Sequence, residues 1–128
     1  MKEHELQKSI IKYLKLKYPK LLYCASVGGV RTSMRQAIKM KETGYKKGMP
    51  DIFFYEPVAP YHGLAIEVKI KKGRPTKEQL WWRDQLNSRN YISEITYGFD
   101  ETINVIERYL NGTISKLNNK KCKKKLKN

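Results

Sequence analysis

Apolar residues recur at helical spacing over residues 3 to 17, with Ile10 and Leu14 among them, and Pro19 stops the run. This predicts a first helix. The pattern then turns into short β-rich runs: "LLYCASV" (21–27) leads into Gly28 and Gly29 and reads as a strand entering a tight loop. Residues 32–43 form a second helical stretch, with Thr32 or Ser33 as its N-cap and Gly44 as its stop. "DIFFYE" (51–56) and "LAIEVKI" (64–70) are strands joined by "PVAPYHG", a connection of hairpin type. A third helix starts after Pro75 and runs to Arg89, where Asn90 suits a left-handed stop. "YISEITY" (91–97) is a fourth strand, and "DETINVIERYLNG" (100–112) a fourth helix with an aspartate cap and a closing glycine. The order α-β-α-β-β-α-β-α predicts an α/β protein, a small mixed central sheet flanked by helices.

Length adds that 128 residues suit one domain. Charge adds a partner class. Lys and Arg number 27 against 12 Asp and Glu, a formal net charge of +15, and a field of that strength favours a polyanion. The expected organisation is a folded unit over residues 1–111 and a basic arm over 112–128. The stretch "TISKLNNKKCKKKLKN" (113–128) holds seven lysines and no acid, so the remainder is still basic at +8. Cys24 and Cys122 are too few and too widely placed for a disulfide framework or a zinc site, which points to a reducing, intracellular setting, cytoplasm or nucleus. "MKEHELQKSI" has no apolar signal core, and no run is long enough to span a bilayer, so no membrane partner is expected.

Candidate chemistry sits in the strand "LAIEVKI". Alternate side chains of a strand share a face, so Leu64, Ile66, Val68 and Ile70 point one way and Ala65, Glu67 and Lys69 the other. The second face then carries a carboxylate and an ammonium beside small Ala65 and Gly63, which leaves room for a ligand. Taken alone, such a pair is better explained by a solvated outer face. Pro50 and Asp51 open the preceding strand, however, and Gly48 ahead of them permits a close backbone approach. Asp51 can therefore stand beside Glu67, and two adjacent carboxylates imply a cation of the oxygen-loving kind, Mg²⁺ or Mn²⁺.

Pro50-Asp51 followed by Glu67-Val68-Lys69 resembles the motif of the PD-(D/E)XK nuclease superfamily, and the chain is similar to one branch of it, the virus-type replication-repair nuclease (VRR-NUC) domain in its stand-alone form. The likeness rests on "GGVR" (28–31), "ETGYKKGMPD" (42–51), "HGLAIEVK" (62–69), "GRPTKEQ" (73–79) and "YGFDETINVIERYL" (97–110). It implies a restriction-endonuclease-like fold and metal-assisted hydrolysis of DNA phosphodiesters. Asp51, Glu67 and the Val68 carbonyl would hold Mg²⁺ or Mn²⁺, and Lys69 would position the attacking water. It also implies an acid on the first helix. At about 100° per residue Glu3 shares an arc with Gln7, Ile10 and Leu14 whereas Glu5 faces away, which selects Glu3, acting through water. Gln79 has two readings: the family places it beside the active site, while Thr76 and Gln79 together spell a capping box.

Arg31, Arg35, Lys46, Lys47, Lys71, Lys72 and Arg74 cluster in the loops around these strands and are the candidate DNA contacts. Trp81, Trp82, Leu80 and Leu86 are expected to pack into the core, with one tryptophan facing elsewhere, and His4 and His62 are expected to be bystanders. Stand-alone members of the resembled family are homodimers acting on branched DNA, including Holliday junctions. Two other readings fit the charge: a basic nucleic-acid-binding module without catalysis, and a sequence-specific restriction-type endonuclease.

Overall fold

The computed structural model describes residues 2–26 and 33–114. Arg31, the glycine loop and the lysine-rich arm from 115 onward lie outside the described residues. Among those described, the elements follow the predicted order: α1 (Glu3–Lys17), β1 (Tyr23–Ala25), α2 (Met34–Glu42), β2 (Ile52–Phe54), β3 (Leu64–Lys69), α3 (Lys77–Asn87), β4 (Ile92–Tyr97) and α4 (Gly98–Leu110). The sheet runs β1-β2-β3-β4. β1 with β2 and β2 with β3 are antiparallel, Ile52 facing Ile66, and β3 with β4 is parallel, Leu64 facing Ile92. α3 is the crossover that a parallel pair requires.

One apolar stripe of α1 builds much of the core. Leu6, Ile10 and Leu14 are buried with Ile52, Phe54, Leu64, Ile66, Val68 and the α4 residues Ile103, Ile106 and Tyr109. No side chain caps the start of α1, so the burial of Leu6 one turn in is what holds down the turn carrying Glu3. At the far end of α1, Glu107 of α4 accepts hydrogen bonds from Tyr13, Lys17 and Tyr18. The Lys17 ammonium and the Tyr18 hydroxyl hold the Glu107 carboxyl below its ordinary range. α1 is thereby pinned to the body at both ends.

Local signals explain most boundaries. Ser33 rather than Thr32 caps α2 through a reciprocal bond pair with Gln36, and Gly44 follows with φ +111°. Asn90 takes the left-handed conformation at φ 64°, as expected after α3. The strands are shorter than predicted because ladder pairing ends sooner than β-rich composition does; before β1, the Leu22 carbonyl still accepts the Tyr55 N–H at 2.9 Å, but its N–H donates to the Glu56 side chain. α4 starts at Gly98, so Asp100 is not its cap. The chain turns at Gly98 (φ +85°), and the Glu101 carboxylate accepts the Tyr97 N–H, closing the helix start two residues early.

Three packing expectations fail. β3 is buried on both faces, because α1 and α4 cover one and α3 the other. The space predicted beside Gly63 and Ala65 is filled: a methyl group on Gly63 would meet the Phe54 carbonyl at 2.8 Å and the Phe53 ring at 3.3 Å. Leu80, Trp82 and Leu86 are only half-buried rather than in the core, while Trp81 is the tryptophan that faces elsewhere, as expected. Trp81 is 51% exposed, and half-buried Trp82 donates its indole N–H to the Lys47 carbonyl at 3.1 Å, tying α3 to the loop before β2. α2 buries no residue at all and leaves Met34 and Ile38 exposed.

Candidate active site

Asp51 immediately precedes β2, and its backbone carbonyl accepts the Ser26 N–H at 2.7 Å, which fixes the strand's entrance against β1. Its side chain turns across to β3, where Oδ2 accepts the Val68 N–H at 2.7 Å. This bond extends the β2–β3 ladder by one side-chain rung, so the carboxylate sits level with the residues flanking Val68. The N–H and C=O of one strand residue point to the same edge, and the Val68 carbonyl therefore faces the Asp51 side as well.

Glu67 and Lys69 emerge beside it on the α3 face, 5% and 7% exposed. The Lys69 ammonium lies 3.7 Å from Glu67 Oε2. The same oxygen accepts from Gln79 Nε2 at 3.1 Å. Gln79 also completes the capping box: its Oε1 accepts the Thr76 N–H at 3.0 Å while its own N–H reaches Thr76 Oγ1 at 3.1 Å. Both readings of this glutamine are thus realised by one amide, the oxygen capping α3 and the nitrogen orienting Glu67. Glu67 Oε1 is buried with no hydrogen-bond partner.

The electrostatics follow from this placement. Burial first, and then the Asp51 carboxylate, push the Glu67 carboxyl up to about 9; Lys69 works against that rise and Glu3 adds to it. Without a cation, Glu67 is therefore protonated at neutral pH. An orphaned buried oxygen beside a second carboxylate, with a backbone carbonyl on the same edge, is the donor set a hard divalent ion prefers. Among the described residues no three His, Cys, Asp or Glu side chains converge on one point, so the centre has two carboxylates, with Glu3 further out.

Glu3 lies on a groove of about 910 Å³ between α1 and the sheet's end, together with Asp51, Ser26, Gln7 and the lysines at 8, 12 and 15. Periodicity placed Glu3 and Gln7 on that side of the helix, and Glu5 is exposed elsewhere. His4, read as a bystander, lines the groove as well. The groove lysines were not among the predicted contacts, which lie in the segments flanking the strands, and of those Arg35 stands on α2 rather than in a loop. Arg35, Lys46, Lys47, Lys71, Lys72 and Arg74 are all exposed, available to a large anionic ligand but not converging on the carboxylates through any ion pair among the described residues.

Gly48 has a specific duty. Its φ is +90°, and a methyl group there would lie 2.6 Å from Glu78 Cβ and 2.9 Å from the Gln79 N–H nitrogen. The loop leading to Asp51 thus rests directly on the turn that carries Gln79. Gly48→Ala is expected to cost about 2–4 kcal/mol through backbone strain and steric conflict. A denaturant melt measures it, and a midpoint unchanged from wild type would disprove the close-approach role.

A mixed sheet with one parallel and two antiparallel pairings, bearing Asp51 at a strand mouth and Glu67-x-Lys69 on the next strand, is the PD-(D/E)XK-like class of α/β fold. The family model for the VRR-NUC domain matches residues 2–100. A solved structure described as a VRR_NUC domain protein superposes with a TM-score of 0.75 at 26% identity, covering 87% of this chain and 89% of that one. No curated protein matches the chain. The chain belongs to the VRR-NUC family, a family of nucleases. Among the described residues, no helix is long and apolar enough to cross a membrane.

Proposed function

We propose that this protein is a Mg²⁺- or Mn²⁺-dependent endonuclease that hydrolyses phosphodiester bonds in branched DNA such as four-way junctions. The observation that carries the reading is the unpartnered Glu67 Oε1, buried beside Asp51 with the Lys69 ammonium next to it. Asp51, Glu67 and the Val68 carbonyl would hold the cation, with Glu3 contributing through water. When bound, such an ion makes water more acidic and offsets charge growing on the phosphate. Lys69 holds the attacking water and adds positive charge where the transition state gathers negative charge. Gln79 keeps the Glu67 carboxylate from rotating away, because its own amide is locked by the capping bonds. Arg31, Arg35, Lys46, Lys47, Lys71, Lys72 and Arg74 contact the DNA backbone in this reading, which favours DNA shape over base sequence.

A homodimer is part of the proposal, since paired sites suit symmetric cutting of a junction. Exposed Met34 and Ile38 on an α2 that buries nothing support such an association. Sedimentation at micromolar concentration tests it: a species near twice 15.1 kDa is expected, and a monomer refutes it.

Activity is tested with labelled four-way junctions, flaps and plain duplex, each with Mg²⁺ or Mn²⁺. Wild type is expected to cut the junction only when metal is supplied, and Asp51→Asn and Glu67→Gln to lose at least about 10²–10³-fold in rate while still binding DNA. Absence of metal-dependent cutting from every substrate would leave only a basic binding module. Defined fragments from plain duplex would instead favour a restriction-type enzyme.

A further inference from the structure

We infer that the groove along α1 is a phosphate track, with Lys8, Lys12 and Lys15 holding the backbone of the DNA strand that enters the carboxylate site; this rests on the nuclease reading above. All three lysines line the groove that Asp51 and Glu3 share. At about 100° per residue they fall within an arc of roughly 60°, on the opposite wall of the groove from Glu3 and on the same arc as Glu5, so they form one ladder rather than a scattered set. From Lys8 to Lys15 the helix rises about 10 Å, and one strand of B-form DNA advances about 3.4 Å per phosphate, so the ladder spans about three phosphates.

Their charge is free to act on a ligand. All three are exposed, and among the described residues none forms an ion pair. Lys17 provides the contrast on the same helix: it is committed to Glu107 of α4. Glu3 marks the carboxylate end of the groove, since it lines it together with Asp51. Lys15 lies about 18 Å along the helix from it. The charge therefore changes sign across the groove, negative where Glu3 and Asp51 line it and positive on the wall that carries the lysines. An extended polyanion fits that gradient, with its cleavable phosphate at the acidic end.

The test compares two triple variants that remove equal charge: Lys8→Gln/Lys12→Gln/Lys15→Gln in the groove, and Arg83→Gln/Arg89→Gln/Arg108→Gln away from it. The affinity of each for a labelled splayed-arm DNA is measured in EDTA between about 50 and 200 mM salt. Each phosphate contact contributes about 0.7–0.9 to the slope of log affinity against log salt, so the groove triple is expected to lose about 2–3 and the control triple less than about 1. Equal losses in both triples, or no loss in the groove triple, would overturn the track. The nuclease reading fails separately, if wild type cuts no DNA with Mg²⁺ or Mn²⁺. Should the groove triple alone lose slope while wild type cuts nothing, the groove stands as a polyanion site and only the enzymatic reading falls.

Discussion

Lys69→Met is expected to slow metal-dependent DNA cleavage by about 10²–10³-fold at saturating metal while changing DNA affinity by less than about threefold. The side chain is buried at the end of β3, so its ammonium contributes little to the outer field that gathers DNA. Its charge is spent locally, 3.7 Å from Glu67 Oε2. In a site largely shielded from water, one fixed cation aimed at developing negative charge is worth several kcal/mol. Methionine preserves the apolar stem and most of the volume, which separates charge from packing; alanine would remove both. Lys69→Arg is expected to be poor as well, since the broad guanidinium fork does not fit where a compact ammonium sits. Single-turnover cleavage on a junction measures the effect. A methionine variant with wild-type rates would show that Lys69 serves only to fill the sheet's end.

The second large effect concerns Glu67 and protons. In the folded, metal-free protein burial and the Asp51 carboxylate push its carboxyl up to about 9, whereas the unfolded chain releases that proton near the ordinary value of 4.5. Between those two values the folded state binds more protons than the unfolded state, so stability falls as pH rises across the window and levels off above it. By about pH 8 the loss is expected to reach about 2–4 kcal/mol, less than the full 1.36 kcal/mol per unit because solvent screening and local relaxation soften the cost of the buried charge. Glu67→Gln removes the titration and is nearly isosteric. It is expected to melt several degrees above wild type near pH 8 without metal and to match it near pH 4. Manganese should reverse the order, stabilising wild type by displacing the proton and leaving the variant unchanged. Thermal melts across pH, with EDTA or Mn²⁺, test all of this. A wild-type midpoint indifferent to pH between about 5 and 9 would contradict the coupling.

These two expectations share a cause, the burial of charge at the end of a strand covered on both faces. A solvated Glu-Lys pair on an outer face would show neither effect. Glu67 Oε1, buried without a hydrogen-bond partner beside a second carboxylate, is where that cost is concentrated. Gln79 and Gly48 brace these carboxylates against α3. One locks the carboxylate from α3, and the other lets the Asp51 loop lie against the same helix turn.

Much of this was determined by the sequence alone, wherever the physics is local. Helical periodicity separated Glu3 from Glu5. The Thr76 and Gln79 spacing spelled the cap of α3, and Asn90 marked its left-handed stop. Each of these signals acts within a few residues, where backbone geometry is dictated by the side chains present. Tertiary structure alone decided the rest. Asp51 reaching the Val68 N–H, Gln79 reaching Glu67, and Trp82 reaching the Lys47 carbonyl join residues 17, 12 and 35 positions apart. Which helices cover β3, why Trp81 stays outside, and how Lys8, Lys12 and Lys15 come to face the groove shared with Asp51 depend on how whole elements dock. A periodic pattern shows which residues share a face; only packing shows what that face meets.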